Sequence, residues 1–288
     1  MTTATAGNAA FRVNWWHRVG WIALALYVVY ASAQMDVSWG RVVTGLHNTA
    51  HFLGRMFPPN FSRWELLVKG LQESLEIAVL ASALGILLAL PIGLCAARNL
   101  MPAWVSWPMR LLIVGARSFH PVIVAIVFVK AVGFGALAGI LALTVASIGF
   151  IGKLFAEAIE EISLKQVEAV RATGAPFMGV IAFGVLPQVF ARFIGFCTYQ
   201  LDSNLRNSTM VGIVGAGGIG GTLFAAFQRF DYDYVCAILI SIIALIMLGE
   251  FLATYVRAIF IEGLSFADLF RRRVGRLAST RERHLEDD

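Results

Sequence analysis

Charged side chains are scarce in this sequence. Asp, Glu, Lys and Arg make up 14% of the 288 residues and hydrophobic residues make up 58%, whereas about a quarter of the residues of a soluble domain are charged. A chain of this length cannot bury so much apolar side chain in a core of its own, so lipid must cover part of it. The composition excludes a soluble enzyme.

Patterns of catalytic residues are missing as well. The three cysteines, Cys95, Cys197 and Cys236, lie in apolar runs without metal-ligand spacing, and we predict that they are buried hydrophobic residues. The chain has no Gly-x4-Gly-Lys-Ser/Thr loop for binding the phosphates of ATP. No spacing typical of a metal site or of a nucleophile and its base stands out, which argues against a membrane-embedded enzyme.

What the sequence has instead is long apolar runs. A helix needs about 20 apolar residues to cross the hydrocarbon of a bilayer, and about six runs come near that length. The composition and these runs predict an all-α, polytopic helical membrane protein. The predicted spans are 19–35, 75–97, 111–132, 136–155, 178–199 and 234–256.

The positions of Lys and Arg orient the spans. Cytoplasmic loops of membrane proteins carry an excess of these residues, and the larger share lies before the first span, in alternate loops and after the last span. We predict a multi-pass protein with both termini in the cytoplasm, whose basic tail lies near anionic lipid and binds no nucleic acid. The predicted parts are a tail over 1–18, a membrane domain over 19–260, an external surface segment over 36–70, a cytoplasmic loop over 156–177, a broken or re-entrant element over 203–230 and a tail over 261–288.

The first apolar run allows two interpretations. Arg12 and Arg18 precede it, and it ends in Ala31-Ser32-Ala33, which resembles a signal-peptidase site. The alternative is a retained first helix that ends in small residues, and we favour it. The remaining topology is the same in both cases.

The stretch VGIVGAGGIGG, residues 211–221, has the glycine spacing of a dinucleotide-binding turn. A Rossmann turn needs strand, helix and strand in one soluble sheet, but here a helix-like segment and a membrane span follow. Glycines also permit a bend and a close backbone contact at membrane depth. We predict a bend beside a transport pathway, with a simple external loop as the alternative. The bend residues are Gly215, Gly217, Gly218 and Gly220.

The loop between the fourth and fifth spans carries signals of a short helix over about 164–173. Ser163 and Gln166 have the spacing of a capping box at its start. Gly174 suits a left-handed C-cap, and Pro176 prevents the helix from continuing. Val167 and Val170 would present a small apolar patch. A helix so short and so clearly delimited is typical of a protrusion built to dock.

This loop resembles the EAA loop of ABC-importer permeases. That consensus is E-A-A, three residues, G, nine residues and I-x-L-P, and the chain has Glu168-Ala169-Val170, Gly174 and Gly184-x-Leu186-Pro187 at the same spacing. The two departures are Val170 for alanine and Gly184 for isoleucine. The resemblance implies that residues 164–175 are a coupling helix, with the coupling residues Glu168, Ala169, Val170, Arg171, Gly174 and Pro187.

Other segments extend the resemblance over nearly the whole chain. Residues 202–220 are similar to a segment of methionine-type and phosphonate-type importer permeases, and RSFHP, residues 117–121, falls where those permeases carry an R-S-x-P-like stretch. The strongest likeness is to the phosphonate importer permease. It implies the ABC type I importer fold and the bacterial inner membrane. The implied partners are a second copy of the chain, two cytoplasmic ATPase subunits that hold ATP and Mg, and an external phosphonate-binding protein. No cofactor is expected in this chain.

Charged and polar residues within the spans are candidates for a solute pathway. Arg117 and His120 would share one face of the third span and help pass an anion. In the alternative interpretation Arg117 snorkels to the headgroups and His120 packs against neighbours. The candidate pathway residues are Arg117, Ser118, His120, Asn204, Arg206, Asn207, Ser208 and Thr209.

Two ion pairs are also predicted. Asp202 and Arg206 lie four residues apart and would form a local pair. Arg192 in the fifth span would pair with Glu250 in the sixth.

The resulting prediction of function is import of a phosphonate, phosphite or hypophosphite. The alternatives are a permease for methionine or another small solute, and a stand-alone ion-coupled carrier, which would need no docking helix.

Overall fold

The protein is built from helices. The computed structural model describes residues 15–34 and 38–257, and among these residues it contains no strand. The all-α prediction is therefore confirmed. The chain divides into two compact units with the boundary between Phe57 and Pro58. The predictions for residues 1–14 and for the basic tail after residue 257 lie outside the described residues.

The described residues of the first unit form two helices, α1 (Trp15–Gln34) and α2 (Trp39–Met56). The Ser38 hydroxyl caps α2 by accepting a hydrogen bond from the Arg41 N–H at 3.3 Å. The predicted external segment over 36–70 is thus not one element, because it includes α2, a short connection and the first turns of the next helix. Its location along the membrane surface stays a prediction.

The second unit holds the other helices. They are α3 (Trp64–Ala96), α4 (Ala103–Ser118), α5 (Pro121–Val132), α6 (Ala136–Glu160), α7 (Leu164–Ala172), α8 (Phe177–Val180), a π-helical turn (Ile181–Val185), α9 (Leu186–Ile213), α10 (Ile219–Gln228) and α11 (Tyr232–Arg257).

Within the described residues, four helical runs are long and apolar enough to cross a membrane, and two bent helix pairs raise the number to as many as six. This agrees with the predicted number of spans. The four runs are Trp64–Ala96, Ala136–Glu160, Phe177–Ile213 and Tyr232–Arg257.

The predicted third span, 111–132, is divided between α4 and α5. The chain bends by 91° between α4 and α5. Phe119 and His120 leave the helical conformation because the residue before a proline is disfavoured there, and Pro121 then starts α5. The Nδ1 atom of His120 accepts a hydrogen bond from the Val122 N–H at 3.3 Å, which caps the new helix.

The predicted fifth span is too short. Helix continues from Phe177 to Ile213, so the first part of the predicted broken element, 203–213, is regular helix. Only the turn after Ile213 and the short helix α10 match the expected break. The polar residues that suggested an irregular segment form hydrogen bonds instead, and this lets the helix persist.

A network of buried polar side chains joins α3, α6 and α9. The Asn204 amide donates to the hydroxyls of Ser82 at 2.9 Å and Ser147 at 2.8 Å. The Gln200 amide donates to the Ser147 hydroxyl and to the Asn204 carbonyl, each at 2.9 Å. All four side chains are buried. Because the two serines donate to carbonyls of their own helices, both amide N–H donors of Asn204 are satisfied without water.

The glycine-rich stretch forms a turn between α9 and α10. Gly215, Gly217 and Gly218 have φ of +89°, +82° and +82°, a conformation that glycine adopts without steric cost. A Cβ on Gly217 would lie 2.7 Å from the backbone of Ala136, so the turn packs directly on the start of α6. The Ser74 hydroxyl accepts a hydrogen bond from the Ile219 N–H at 2.8 Å and ties the turn to α3. The structure thus has a bend with a close backbone contact at Gly215, Gly217 and Gly218, whereas Gly220 lies within α10. The position of the bend beside a transport pathway stays a prediction.

At the same end of this unit, polar contacts hold the residues before α3 to the start of α11. Arg63 forms an ion pair with Asp231 at 2.9 Å, and its guanidinium lies 4.5 Å from the centroid of the Tyr234 ring. The Asn60 amide donates to the Asp233 carboxylate at 3.0 Å. These contacts fix the segment that enters α3.

We expect Asn204→Leu to lower the free energy of unfolding by about 1–3 kcal/mol, because three helices lose a shared set of hydrogen bonds. The measurement is reversible unfolding of the purified protein in micelles. Asn207→Leu is the matched control, since Asn207 lies on the same helix and makes one long bond, 3.4 Å, to Ser203. Equal losses in the two variants would contradict the network.

Two adjacent glycines of α10 give a second prediction. A Cβ on Gly220 would collide with the Thr209 carbonyl, whereas a Cβ on Gly221 meets only the Gly212 carbonyl at 3.5 Å. Gly220→Ala should destabilise the protein by about 1–3 kcal/mol through overpacking. Gly221→Ala should be neutral or stabilising by up to about 1 kcal/mol, because alanine favours a helix. Thermal unfolding of both variants tests this difference in sign.

Candidate functional site

The short helix α7 stands at one end of α6 and α9, and its start is Ser163 as predicted. The capping box is wrong, however, because the Ser163 hydroxyl makes no capping hydrogen bond. Gln188, the third residue of α9, bonds the backbone N–H at the start of α7 instead. Its side-chain oxygen accepts from the Ser163 N–H at 3.0 Å, and its amide donates to the Gly184 carbonyl at 2.6 Å. Gln188 therefore fastens the start of α7 to the start of α9.

The end of α7 follows the prediction closely. Gly174 has a φ of +79°, and its N–H donates to the Arg171 carbonyl at 3.0 Å. A Cβ added at Gly174 would meet no atom within 4 Å. Glycine is needed here for its backbone conformation alone, not for space.

The apolar face of α7 points inward, which corrects the predicted docking patch. Val167 is 2% exposed, and Val170 is half-buried. A Cβ on Gly184 in the π-helical turn would lie 3.3 Å from the Val167 Cα atom and 3.6 Å from a methyl group of Val170. Gly184 therefore lies against α7, closest to the Val167 backbone and in ordinary contact with the Val170 side chain. The two departures from the EAA consensus are neighbours in the structure.

The outward face of α7 is polar and free for contact. Its exposed residues in the described part of the chain include the predicted coupling residues Glu168, Ala169 and Arg171, together with Lys165 and Gln166. Pro187 is exposed at the start of α9. Of the predicted coupling residues, Val170 alone lies on the inward side.

Ion pairs brace the helices that carry α7. Arg192 on α9 pairs with Glu161 at 2.5 Å, so the predicted pair with Glu250 is wrong. Arg110 on α4 pairs with Glu160 at 2.5 Å and also donates to the Ala96 carbonyl at 2.9 Å. The ends of α3 and α6 are thereby joined to the middle of α4 and to the first turns of α9. Sequence reasoning missed these partners because residue spacing does not show which helices are neighbours.

The candidate pathway residues do not form one site on the described chain. Asn204 and Ser208 are fully buried and bonded within the helix packing, so their predicted role as donors to a solute does not match their position. Arg206 forms the predicted pair with Asp202 at 2.5 Å. Asn207 and Thr209 are half-buried on the same helix.

Arg117, Ser118 and His120 lie at the bend between α4 and α5 instead. Arg117 occupies the last turn of α4, and His120 is the cap of α5. Arg117 and Ser118 line a cavity of about 300 Å³ between α4 and α6. The Ser118 hydroxyl is used, because it donates to the Val114 carbonyl at 2.8 Å.

The loop that holds α7, the glycine turn and this cavity all lie in the part of the chain that a known family covers. A family model described as binding-protein-dependent transport system inner membrane component matches residues 89–262. The chain belongs to this family. It is an inner-membrane transport permease, as the sequence predicted.

Individual relatives agree with this assignment. The phosphite transport system permease protein PtxC of Stutzerimonas stutzeri is 38% identical over 245 residues, covering 83% of this chain and 88% of that protein. The phosphate-import permease protein PhnE of Mycolicibacterium smegmatis is 40% identical over 206 residues, covering 71% of this chain but 39% of that protein.

A solved structure shows the same fold. The inward-facing MetNI methionine ABC transporter matches with a TM-score of 0.60 and 26% identity, covering 69% of this chain and 99% of the matched chain. The predicted ABC importer permease fold is confirmed.

The contact of Gly184 with α7 in this permease gives a third prediction. Gly184→Ile restores the consensus residue but should cost about 1–3 kcal/mol of stability, because the new side chain collides with α7. Adding Val170→Ala should recover part of that loss. Unfolding of the single and double variants measures the coupling, and additive effects would contradict direct packing between the two positions.

Proposed function

We propose that this permease imports an oxyanion of reduced phosphorus, such as phosphite or a phosphonate, by using ATP hydrolysis in separate subunits. Two copies of the chain form the translocation unit. Each copy seats α7 on one of two cytoplasmic ATPase subunits, which hold ATP and Mg, and an external binding protein delivers the anion. Both termini lie in the cytoplasm.

This proposal rests on the way in which α7 is attached to the neighbouring helices. The helix exposes a polar face that includes Glu168 and Arg171, while Gln188 and the Arg192–Glu161 pair fix it to α9 and to the end of α6. A displacement of α7 by a partner bound to its exposed face is therefore transmitted to α9, which continues to the glycine turn. A stand-alone carrier has no use for such a protrusion.

The nature of the cargo is inferred from relatives and from charge. The relative at 38% identity is named for phosphite, and another is named for phosphate import. Arg117 adds a guanidinium, a group whose planar donors match tetrahedral oxyanions. The likeness to the methionine transporter at 26% identity makes methionine the second candidate cargo.

Uptake of radiolabelled phosphite by cells that express the permease with its ATPase and binding protein tests the proposal. Gly174→Val should reduce uptake about tenfold or more, because a β-branched residue resists the left-handed conformation. The protein should still insert, and the ATPase should hydrolyse ATP without transport. Gly174→Asn should keep most of the uptake, since asparagine tolerates that conformation.

Each part of the proposal has its own contradicting result. Normal uptake by Gly174→Val would refute the docking of α7. Uptake of methionine in place of phosphite by the unaltered permease would refute the cargo alone. Uptake that continues in ATP-depleted cells under an ion gradient would refute the role of the ATPase.

A further inference from the structure

Three basic side chains line the cavity between α4 and α6. Arg110 and Arg117 from α4 and Lys153 from α6 line it, together with Glu157. The rest of its wall is mainly apolar. Three basic groups around one cavity in a membrane domain mark a place where an anion would be stabilised.

Two of these cations already have partners. Arg110 pairs with Glu160 at 2.5 Å, and Lys153 pairs with Glu157 at 3.4 Å. Arg117 forms no ion pair or hydrogen bond through its side chain with any residue in the described part of the chain. The cavity therefore keeps one positive charge that no carboxylate of the described residues neutralises.

Arg117 lies beside the middle of α6, and its side chain is exposed. A Cβ on Gly149 would lie 2.7 Å from the Arg117 Cγ atom, so the side-chain stem of Arg117 lies on α6 where glycine leaves room. Gly149 precedes Glu160, the last residue of α6, by 160 − 149 = 11 residues, which is about 16 Å of helix. The exposed guanidinium has no carboxylate partner among the described residues, so it is open to a visiting anion.

The cations also follow an order. Arg117 is level with Gly149, Lys153 lies one turn nearer to α7, and Arg110 reaches Glu160 at the end of α6. The two cations nearer to α7 are both paired with carboxylates. An anion would bind most strongly beside Arg117, which is unpaired among the described residues. It would bind less strongly beside Lys153 and Arg110, and this allows it to leave toward α7.

We propose that this cavity is a binding site for a tetrahedral oxyanion of phosphorus, held by the Arg117 guanidinium, with Lys153 and Arg110 as the following contacts toward α7. This inference rests on the proposed function, since it treats the anion as cargo. A volume of about 300 Å³ holds such an anion with several of its waters, each of which fills about 30 Å³. A lipid phosphate has the same chemistry, and the experiment separates the two sources.

Thiol modification at the cavity wall gives the readout. Val114→Cys is placed in a background without Cys95, Cys197 and Cys236, and the transporter is assembled with its ATPase in phosphatidylcholine nanodiscs. We measure the modification rates by an anionic methanethiosulfonate sulfonate and by its cationic trimethylammonium counterpart. The anionic reagent should be favoured, and Arg117→Gln should reduce the ratio of anionic to cationic rates about tenfold. Phosphite and methylphosphonate should slow modification in the unaltered cavity.

Controls separate charge from structural damage. Lys130→Gln removes an exposed cation of α5 outside the cavity and should leave the ratio unchanged. Arg117→Lys keeps the charge but loses the planar donors, so it should keep most of the ratio while weakening protection by phosphite. The proposal is overturned if Arg117→Gln leaves the ratio unchanged. If both Arg117 variants fail to assemble, absence of phosphite protection in the Val114→Cys transporter overturns it equally.

The source of the phosphate group is decided by lipid composition. Protection by phosphite in pure phosphatidylcholine supports a cargo site. If phosphite gives no protection and addition of phosphatidylglycerol alone slows the anionic reagent, the cavity binds a lipid headgroup and the cargo site is refuted.

Uptake separates this inference from the proposed function. If the unaltered transporter takes up no phosphorus oxyanion, the proposed function fails, whatever the cavity binds. If it does take up phosphite and Arg117→Gln keeps the same uptake per assembled transporter, the function stands and the site is refuted.

Discussion

The second unit of this permease depends on one requirement, that polar groups inside a helical membrane domain find partners within the protein. Asn204 and Gln200 meet it by bonding to the hydroxyls of Ser82 and Ser147. These bonds lie at the meeting point of α3, α6 and α9. Because water is not available to replace them at that depth, they fix the rotation of α9 about its axis. The groups at the two ends of α9 are oriented as a result.

At one end of α9, Gln188 holds α7; at the other, the glycine turn packs on α6 and α3. The Arg192–Glu161 pair also joins the first end to the end of α6, so both ends of α9 are fixed relative to α6. A rigid helix whose ends both make specific contacts can carry a displacement from one to the other. The π-helical turn next to α7 is the irregular point in this run, and such turns recur at functional positions.

Within the described residues, several cations of this unit are paired with carboxylates, and Arg117 is among those that are not. Arg110, Lys153, Arg192 and Arg206 each have a carboxylate within 4 Å. Arg117 has none in the described chain, although its stem is packed against α6. Pairing lowers the cost of charges near lipid, so an unpaired guanidinium is expected where a function needs it. Arg117 therefore differs from Arg110 and Lys153, which line the same cavity between α4 and α6 and are paired.

The sequence by itself determined the helical class, the bend at the glycines and the limits of α7, since apolar length and the left-handed preference of Gly174 act locally. It also indicated the family through the spacing of the EAA loop. Only the tertiary structure decided that Asn204 faces inward, that Arg192 bonds Glu161 and not Glu250, and that Val170 packs on Gly184. Those outcomes depend on which helices are neighbours and how each is rotated. Uniformly apolar spans do not encode either property in their composition, because any face can be turned toward lipid or protein.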